Sequence, residues 1–378
     1  MSSPYRDNDD SDVESRHSSM IESIEHPPLH TKTKWFHARG RAFSRIPNWG
    51  RRAKWLRIVL VVSAVLGFLA LIASIGLQHI VDQWKEPDDN GAFEYEWTDD
   101  FSRDIVAKNC HSHNDYWRSV PLYEALANGC VGIEADIWVT EDKKLLVSHS
   151  WMSTRQSRTL GSLYLDPLVN IFTHRNVSTA STKDKDTGVF DTDPNTSIVL
   201  LIDFKNDAEK TWPILLSQLE PLRAKNWLTY FDGSNIVQGP LTVVGTGITP
   251  FDRVQSMGSD RYIFFDAPLD DVDNPKYNST NSYYASVQMG KATGRFWFNK
   301  VTSKQVDVIR TQIESAAAKG FRSRYWDTPS WPISLRDKVW FTLTDNDVGM
   351  LNVDDLVSAT RWNWNWCVIA GLALCGNS

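Results

Sequence analysis

Cysteine is scarce in this chain: Cys110, Cys130, Cys367 and Cys375 are the only four in 378 residues, and none falls in the first 57. No Cys/His spacing of the zinc-holding kind accompanies them. Their absence from the N-terminal part suits an oxidising compartment for the remainder. Four cysteines permit three pairings; Cys110–Cys130 would join neighbouring strands and Cys367–Cys375 would be local, with buried thiols as the alternative. No repeat with a period of 20–50 residues occurs, which excludes a solenoid or propeller array. Apolar clustering is missing from residues 1–31, a disordered tail. Acids are missing from Lys32–Arg57, a juxtamembrane segment with nine Lys/Arg and interleaved Trp and Phe. Charge of either sign is missing from Ile58–Leu77.

That last absence predicts a single transmembrane helix over 58–80, since about twenty apolar residues match the ~30 Å hydrocarbon core. The basic residues precede the span, and Asp82, Lys85, Glu86, Asp88 and Asp89 follow it. The positive-inside rule then places the N-terminus in the cytosol and everything after the span in a lumen, a vacuole or the extracellular space. The three N-x-S/T sequons, at Asn176, Asn195 and Asn278, all follow the span and are candidate glycosylation sites. Residues 1–57 carry 11 Lys/Arg and 7 Asp/Glu, so from totals of 40 and 46 the remainder is net −10. A basic tract beside an acidic globule points to a membrane surface and away from nucleic acid. No feature specifies a protein partner. The span lacks a G-x-x-x-G dimer face.

After an acidic linker over 81–104, strand and helix patterns alternate from 105 to 378. Near-continuous apolar runs such as Ile198–Ile202 read as buried parallel strands. Thr302–Lys319 is the clearest helix, with Thr302 and Gln305 forming a capping box, a face of Val306, Ile309, Ile313 and Ala317, and Gly320 as a stop. Leu241–Val244 reads as a strand leading to a tight Gly245-Thr-Gly247 loop, and Thr344–Asp347 as a turn. About eight strands alternating with helices predict an α/β fold, a (β/α)8 barrel of the TIM type.

Three strand candidates end in polar pairs two residues apart, which point to one face of a strand. They are His111 with His113, Glu134 with Asp136, and Asp203 with Lys205; a further apolar run, Leu145–Val147, leads to His149. In a parallel barrel such ends converge on one mouth. Three carboxylates, Glu134, Asp136 and Asp203, favour a hard divalent ion, Mg2+ or Ca2+. Two histidines, His111 and His149, suit general acid–base work across a phosphodiester, with Lys205 adding positive charge. The combined reading is metal-assisted phosphodiester cleavage. Alternatives are a glycosidase barrel working through Glu134 and a second carboxylate, and an inactive barrel kept as a binding protein. Asp266, Tyr325-Trp326-Asp327 and the alternating Trp362, Trp364 and Trp366 stay outside the core set.

The motifs His111-Ser-His113-Asn114-Asp-Tyr, Gly132-Ile-Glu134-Ala-Asp136, Leu145-Leu-Val-Ser-His149 and Asp203-Phe-Lys205 resemble the phospholipase-C-like phosphodiesterases. This superfamily includes glycerophosphodiesterases and sphingomyelinase-D-like enzymes, and the resemblance is strongest to the fungal altered-inheritance-of-mitochondria protein 6 family. It covers roughly Val106–Val353. It implies that His111 and His149 are the catalytic pair and that Glu134, Asp136 and Asp203 are the metal ligands. His113, Asn114 and Lys205 would then surround the substrate, a phospholipid-derived phosphodiester. The H-R-G and E-N-T sequences of glycerophosphodiesterases are absent, and Asp203 is closer to the sphingomyelinase-D pattern.

Overall fold

The computed structural model describes Ser102 and residues 105–361, with short stretches at 58–65, 67–68, 368–369 and 372–373. The chain divides into two compact units, Asp9–Glu96 and the remainder. In the first, residues 58–65 and 67–68 are helical. Among the described residues no helix is long and apolar enough to cross a membrane. The rest of the expected span, the tail, the basic segment, Cys367, Cys375 and the Trp362–Trp366 alternation lie outside the described residues.

In the second unit the strands are β1 (Lys108–Ser112), β2 (Cys130–Val139), β3 (Leu145–Val147), β4 (Ile198–Phe204), β5 (Tyr230–Phe231) and β6 (Ile236–Val237). They continue with β7 (Leu241–Gly247), β8 (Ile263–Pro268), β9 (Ser282–Gln288), β10 (Arg322–Trp326) and β11 (Leu351–Val353). Eight of these pair in parallel in the order β10-β9-β8-β7-β4-β2-β1-β11. A parallel bridge from Arg324 to Met350, just before β11, closes the ring. The result is the expected TIM-like barrel. Its strands are covered on both faces, so Ile198–Ile202 of β4 are all fully buried. Helices Ala208–Ala224, Ser303–Ala318 and Ile333–Asp345 return the chain from the mouth to the opposite end. Cys110 of β1 and Cys130 of β2 form a disulfide.

Several local expectations change. The apolar run Leu145–Val147 lies outside the barrel: β2 runs on past it and β3 folds back antiparallel on Ile137–Val139. Gly245-Thr246-Gly247 is not a loop but the end of β7, paired with Ile202–Phe204. The capping box at Thr302 and Gln305 is present. The buried face of that helix is Gln305, Ile309, Ile313 and Ala316, while Ala317 is exposed. Thr344 and Asp345 end the helix Ile333–Asp345, whose weak amphipathic pattern the sequence reading passed over. Tyr325 is core, its hydroxyl donating to the Ile309 carbonyl at 3.3 Å.

Candidate active site

Register brings the three carboxylates together. Asp136 of β2 is directly paired with Asp203 of β4, and Glu134 lies two residues earlier on the same face of β2. One oxygen from each of Glu134, Asp136 and Asp203 lies within 4.8 Å of the others. Glu134 and Asp136 are buried, and Asp203 is half-buried. Lys205 leaves the end of β4 and places Nζ 3.0 Å from Asp136 Oδ2 and 2.9 Å from Asp203 Oδ2.

Two glycines make room for these groups. His111 of β1 sits opposite Gly132 of β2, where a Cβ would lie 2.4 Å from the imidazole Nδ1. Gly247 has φ +65°, and a Cβ there would lie 2.0 Å from Asp203 Oδ1. His111 is fully buried, edge-on to Tyr284 at 5.8 Å. Its Nε2 has no hydrogen-bond partner and lies 3.6 Å from Glu134 Oε2. His113 Nε2 lies 3.9 Å from the same oxygen, and its Nδ1 is 2.8 Å from Asp354 Oδ1. His149 is exposed, with Nδ1 3.7 Å from Asp136 Oδ2 and its ring 5.2 Å from Trp117. The two carboxylates of β2 thus carry one candidate catalytic histidine each. Asn114, with φ 48°, brings its backbone N–H to 3.4 Å from Glu134 Oε2. All eight core and surrounding residues read from the sequence therefore meet at one mouth. The three sequon asparagines are exposed and lie elsewhere, in loops that precede β4 and β9.

Sequence reasoning missed two side chains and left a third out of the core set. The Tyr116 hydroxyl donates to Asp136 Oδ2 at 2.8 Å and lies 3.4 Å from His149 Nδ1. Arg324, inside the barrel on β10, donates from Nε to Ser286 Oγ at 3.0 Å and from Nη1 to Asn352 Oδ1 at 2.9 Å. Its guanidinium lies 3.8 Å from Glu134 and 3.6 Å from Asp266, which the sequence reading set aside. A charged residue alternating with Ser323 and Tyr325 in a buried strand was the available signal for Arg324.

The electrostatics follow from burial against charge. Burial would raise the Glu134 carboxyl, but His113, His111 and Arg324 outweigh it and hold it well below the usual carboxylate range. Burial pushes His111 down to about 4, against the pull of Glu134. Burial lowers His113 too, but Glu134 and Asp354 reverse the sign and leave it raised. Asp203 rises to about 7 through burial, opposed by Lys205 and reinforced by Asp136.

The donor set fits a hard divalent cation. All three candidate ligand atoms are carboxylate oxygens, and Asp136 Oδ1 is buried with no hydrogen-bond partner. Three carboxylates this close repel one another unless a cation lies among them.

Residues 99–266 match the family described as "AIM6-like phosphodiesterase domain". The chain is 40% identical over 276 residues to the altered inheritance of mitochondria protein 6 homolog of Arthroderma benhamiae, covering 70% of this chain and 87% of that protein. It is 34% identical over 277 residues to altered inheritance of mitochondria protein 6 of Eremothecium gossypii, covering 69% and 71%. Among solved structures, the glycerophosphodiester phosphodiesterase of Thermotoga maritima is 14% identical with a TM-score of 0.35, over 68% of this chain and 97% of that one.

Proposed function

The chain belongs to the altered inheritance of mitochondria protein 6 family, and from that premise we propose that it is a membrane-anchored, divalent-metal-dependent phosphodiesterase acting on phospholipid-derived phosphodiesters. The carrying observation is the cluster of Glu134, Asp136 and Asp203 with a histidine against each end of the β2 pair.

Glu134, Asp136 and Asp203 would hold one Mg2+ or Ca2+. When bound, the ion neutralises charge on the phosphate oxygens and stabilises the charge that develops there in the transition state. His111 is neutral at pH 7 because it is buried, and its unpartnered Nε2 suits it to take the proton from the attacking hydroxyl or water. His149, exposed beside the buried Asp136, would return a proton to the leaving oxygen. Lys205 adds a fixed positive charge beside the phosphate. Tyr116 and Asn114 orient the groups around Asp136 and Glu134. The ionised state of Glu134 favours a ligand over the proton donor that a glycosidase needs.

The anchor is the span over 58–80, with the N-terminus cytosolic and the barrel in a lumen, vacuole or the extracellular space. The Cys110–Cys130 disulfide suits that side of the membrane, and Asn176, Asn195 and Asn278 would carry glycans there.

The test is phosphodiester turnover by the full chain in detergent, on glycerophosphodiesters, lysophospholipids and sphingophospholipids, with Mg2+, Ca2+ or chelator. Turnover should need the metal, fall by at least ~10²-fold in His111→Ala, the lower range for a lost acid–base group, and be lost in Glu134→Ala, which removes a ligand of the ion. Metal-independent turnover, or turnover that survives either substitution, would refute the assignment.

A further inference from the structure

The most exposed aromatic side chains of the barrel gather at one end, whereas Val106, Ile236, Phe341 and Val357 are exposed singly elsewhere. Trp297, Phe298, Trp331 and Ile333 are 66%, 90%, 76% and 51% exposed, and Trp117 and Trp151 are 62% and 52% exposed. All six follow the carboxyl ends of strands. Trp117 comes after β1 and Trp151 after the β2–β3 hairpin, whereas Trp297 and Phe298 come after β9, and Trp331 and Ile333 after β10. The strands β9, β10, β11, β1 and β2 are consecutive round the barrel, so these side chains occupy one arc of the mouth. The arc is a built surface. Asn299 Nδ2 donates to Ser334 Oγ at 2.6 Å, and Lys338 Nζ donates to the Asn299 carbonyl at 3.0 Å. These bonds tie the turn bearing Phe298 to the helix start bearing Ile333.

Charge is just as uneven. Residues 289–306 contain Lys291, Arg295, Lys300 and Lys304 and no acid, within a portion of the chain that is otherwise net acidic. Arg295 and Lys300 flank the two exposed aromatics. The chain's three sequons lie at the opposite end, in loops that precede β4 and β9.

We propose that this arc of the mouth docks on an anionic lipid bilayer, with Trp297, Phe298 and Trp331 entering the headgroup layer and Arg295 and Lys300 meeting its phosphates. Tryptophan prefers that layer, and clustered Lys/Arg beside it gain from anionic lipid. An exposed aromatic patch of this kind is otherwise a liability for a water-facing surface. The sequons at the far end would keep glycans clear of the contact. Residues 81–101, ahead of the buried Ser102, would reach roughly 70 Å at full extension, about three times the ~23 Å of a seven-residue strand, so an anchored chain is long enough to present its mouth to the bilayer. The proposal extends the reading of a membrane-anchored phosphodiesterase by saying where its substrate enters.

The test uses the full chain in vesicles of phosphatidylcholine and phosphatidylserine containing phosphatidylcholine with a doxyl group on its acyl chain. A bimane is attached to Phe298→Cys in one protein and to Lys183→Cys, ahead of β4, in another. Wild type treated in the same way gives the background from native cysteines. The doxyl lipid should quench bimane at 298 several-fold more strongly than bimane at 183. Equal quenching at the two positions overturns the proposal. So does a probe at 298 that is shielded from aqueous iodide yet untouched by doxyl lipid, because that marks a protein cover such as a second copy. This readout needs no turnover, so it stands apart from failure of the catalytic reading. If turnover is found, the Phe298→Ser/Trp331→Ser double variant should lose about tenfold more on vesicle-borne diester than on a soluble short-chain one, a cost of about 1.4 kcal/mol.

Discussion

Asp115 is a buried acid beside the site that does not face the carboxylate cluster. It accepts hydrogen bonds from Ser112 Oγ at 2.7 Å, the Leu122 backbone N–H at 2.7 Å and Tyr164 Oη at 3.1 Å, and so fixes the loop after β1 that carries Tyr116. Burial outweighs these bonds and raises its carboxyl from 3.8 to about 6. The folded protein therefore holds this proton more tightly than the unfolded chain does. The associated stability is fully present below about pH 4 and is lost as pH rises through about 6. The loss amounts to roughly 3 kcal/mol at ~1.4 kcal/mol per pH unit. Asp115→Asn, which keeps one acceptor and cannot ionise, should flatten that part of the curve. Urea unfolding of both proteins between pH 4 and 7 measures it, and parallel curves would remove Asp115 from the account. Its neighbour Asn114 was legible in the sequence because it stands three residues after His111 in the motif that carries the family resemblance. Asp115 and Tyr116 were not singled out, because an acid and a phenol in a loop give no sign of burial until the loop is folded over the barrel.

At the scale of elements, the strands that read well were those with long apolar runs or a polar pair at the end. Ile198–Phe204 shows both, and the register of β2 on β4 then sets Asp136 beside Asp203. What the pattern could not give was pairing direction. Leu145–Val147 is as apolar as a barrel strand but three residues long, and only the overrun of β2 makes it a hairpin. Gly245 and Gly247 read as a turn, since two glycines usually mark one, whereas here they thin the end of β7 to admit Thr249 and Asp203. The Cys110–Cys130 disulfide ties β1 to the start of β2 and closes a loop across a separation of 20 residues. In the chain-entropy account such a loop stabilises by about 3 kcal/mol. Cys110→Ala/Cys130→Ala should lower the unfolding free energy by about that amount, measured in denaturant without reductant. If instead the double variant unfolds at the wild-type denaturant midpoint, the bond does not form in the protein as produced.

For the molecule as a whole, the strand ends of the barrel collect three carboxylates in one small volume, and folding must bear the cost of ionising them together. In the metal-free protein Lys205 bridges two of them, with contacts of 3.0 and 2.9 Å to Asp136 and Asp203, while Arg324 lies 3.8 Å from Glu134. A divalent ion would supply that compensation more fully. Lys205→Met should therefore destabilise the metal-free protein by roughly 3 kcal/mol or more, the cost of leaving buried charges without their partner. With Mg2+ at about 100 times its dissociation constant, binding returns about 2.7 kcal/mol to any protein that keeps the site. The variant, freed of a competing cation, should gain more than wild type does, so the difference between their melting temperatures should narrow as Mg2+ or Ca2+ is added. Thermal unfolding of both proteins across a metal titration and in chelator makes the measurement. A difference that stays constant at every metal concentration would mean that Lys205 acts apart from the ion, and the three carboxylates would then need another explanation for their closeness.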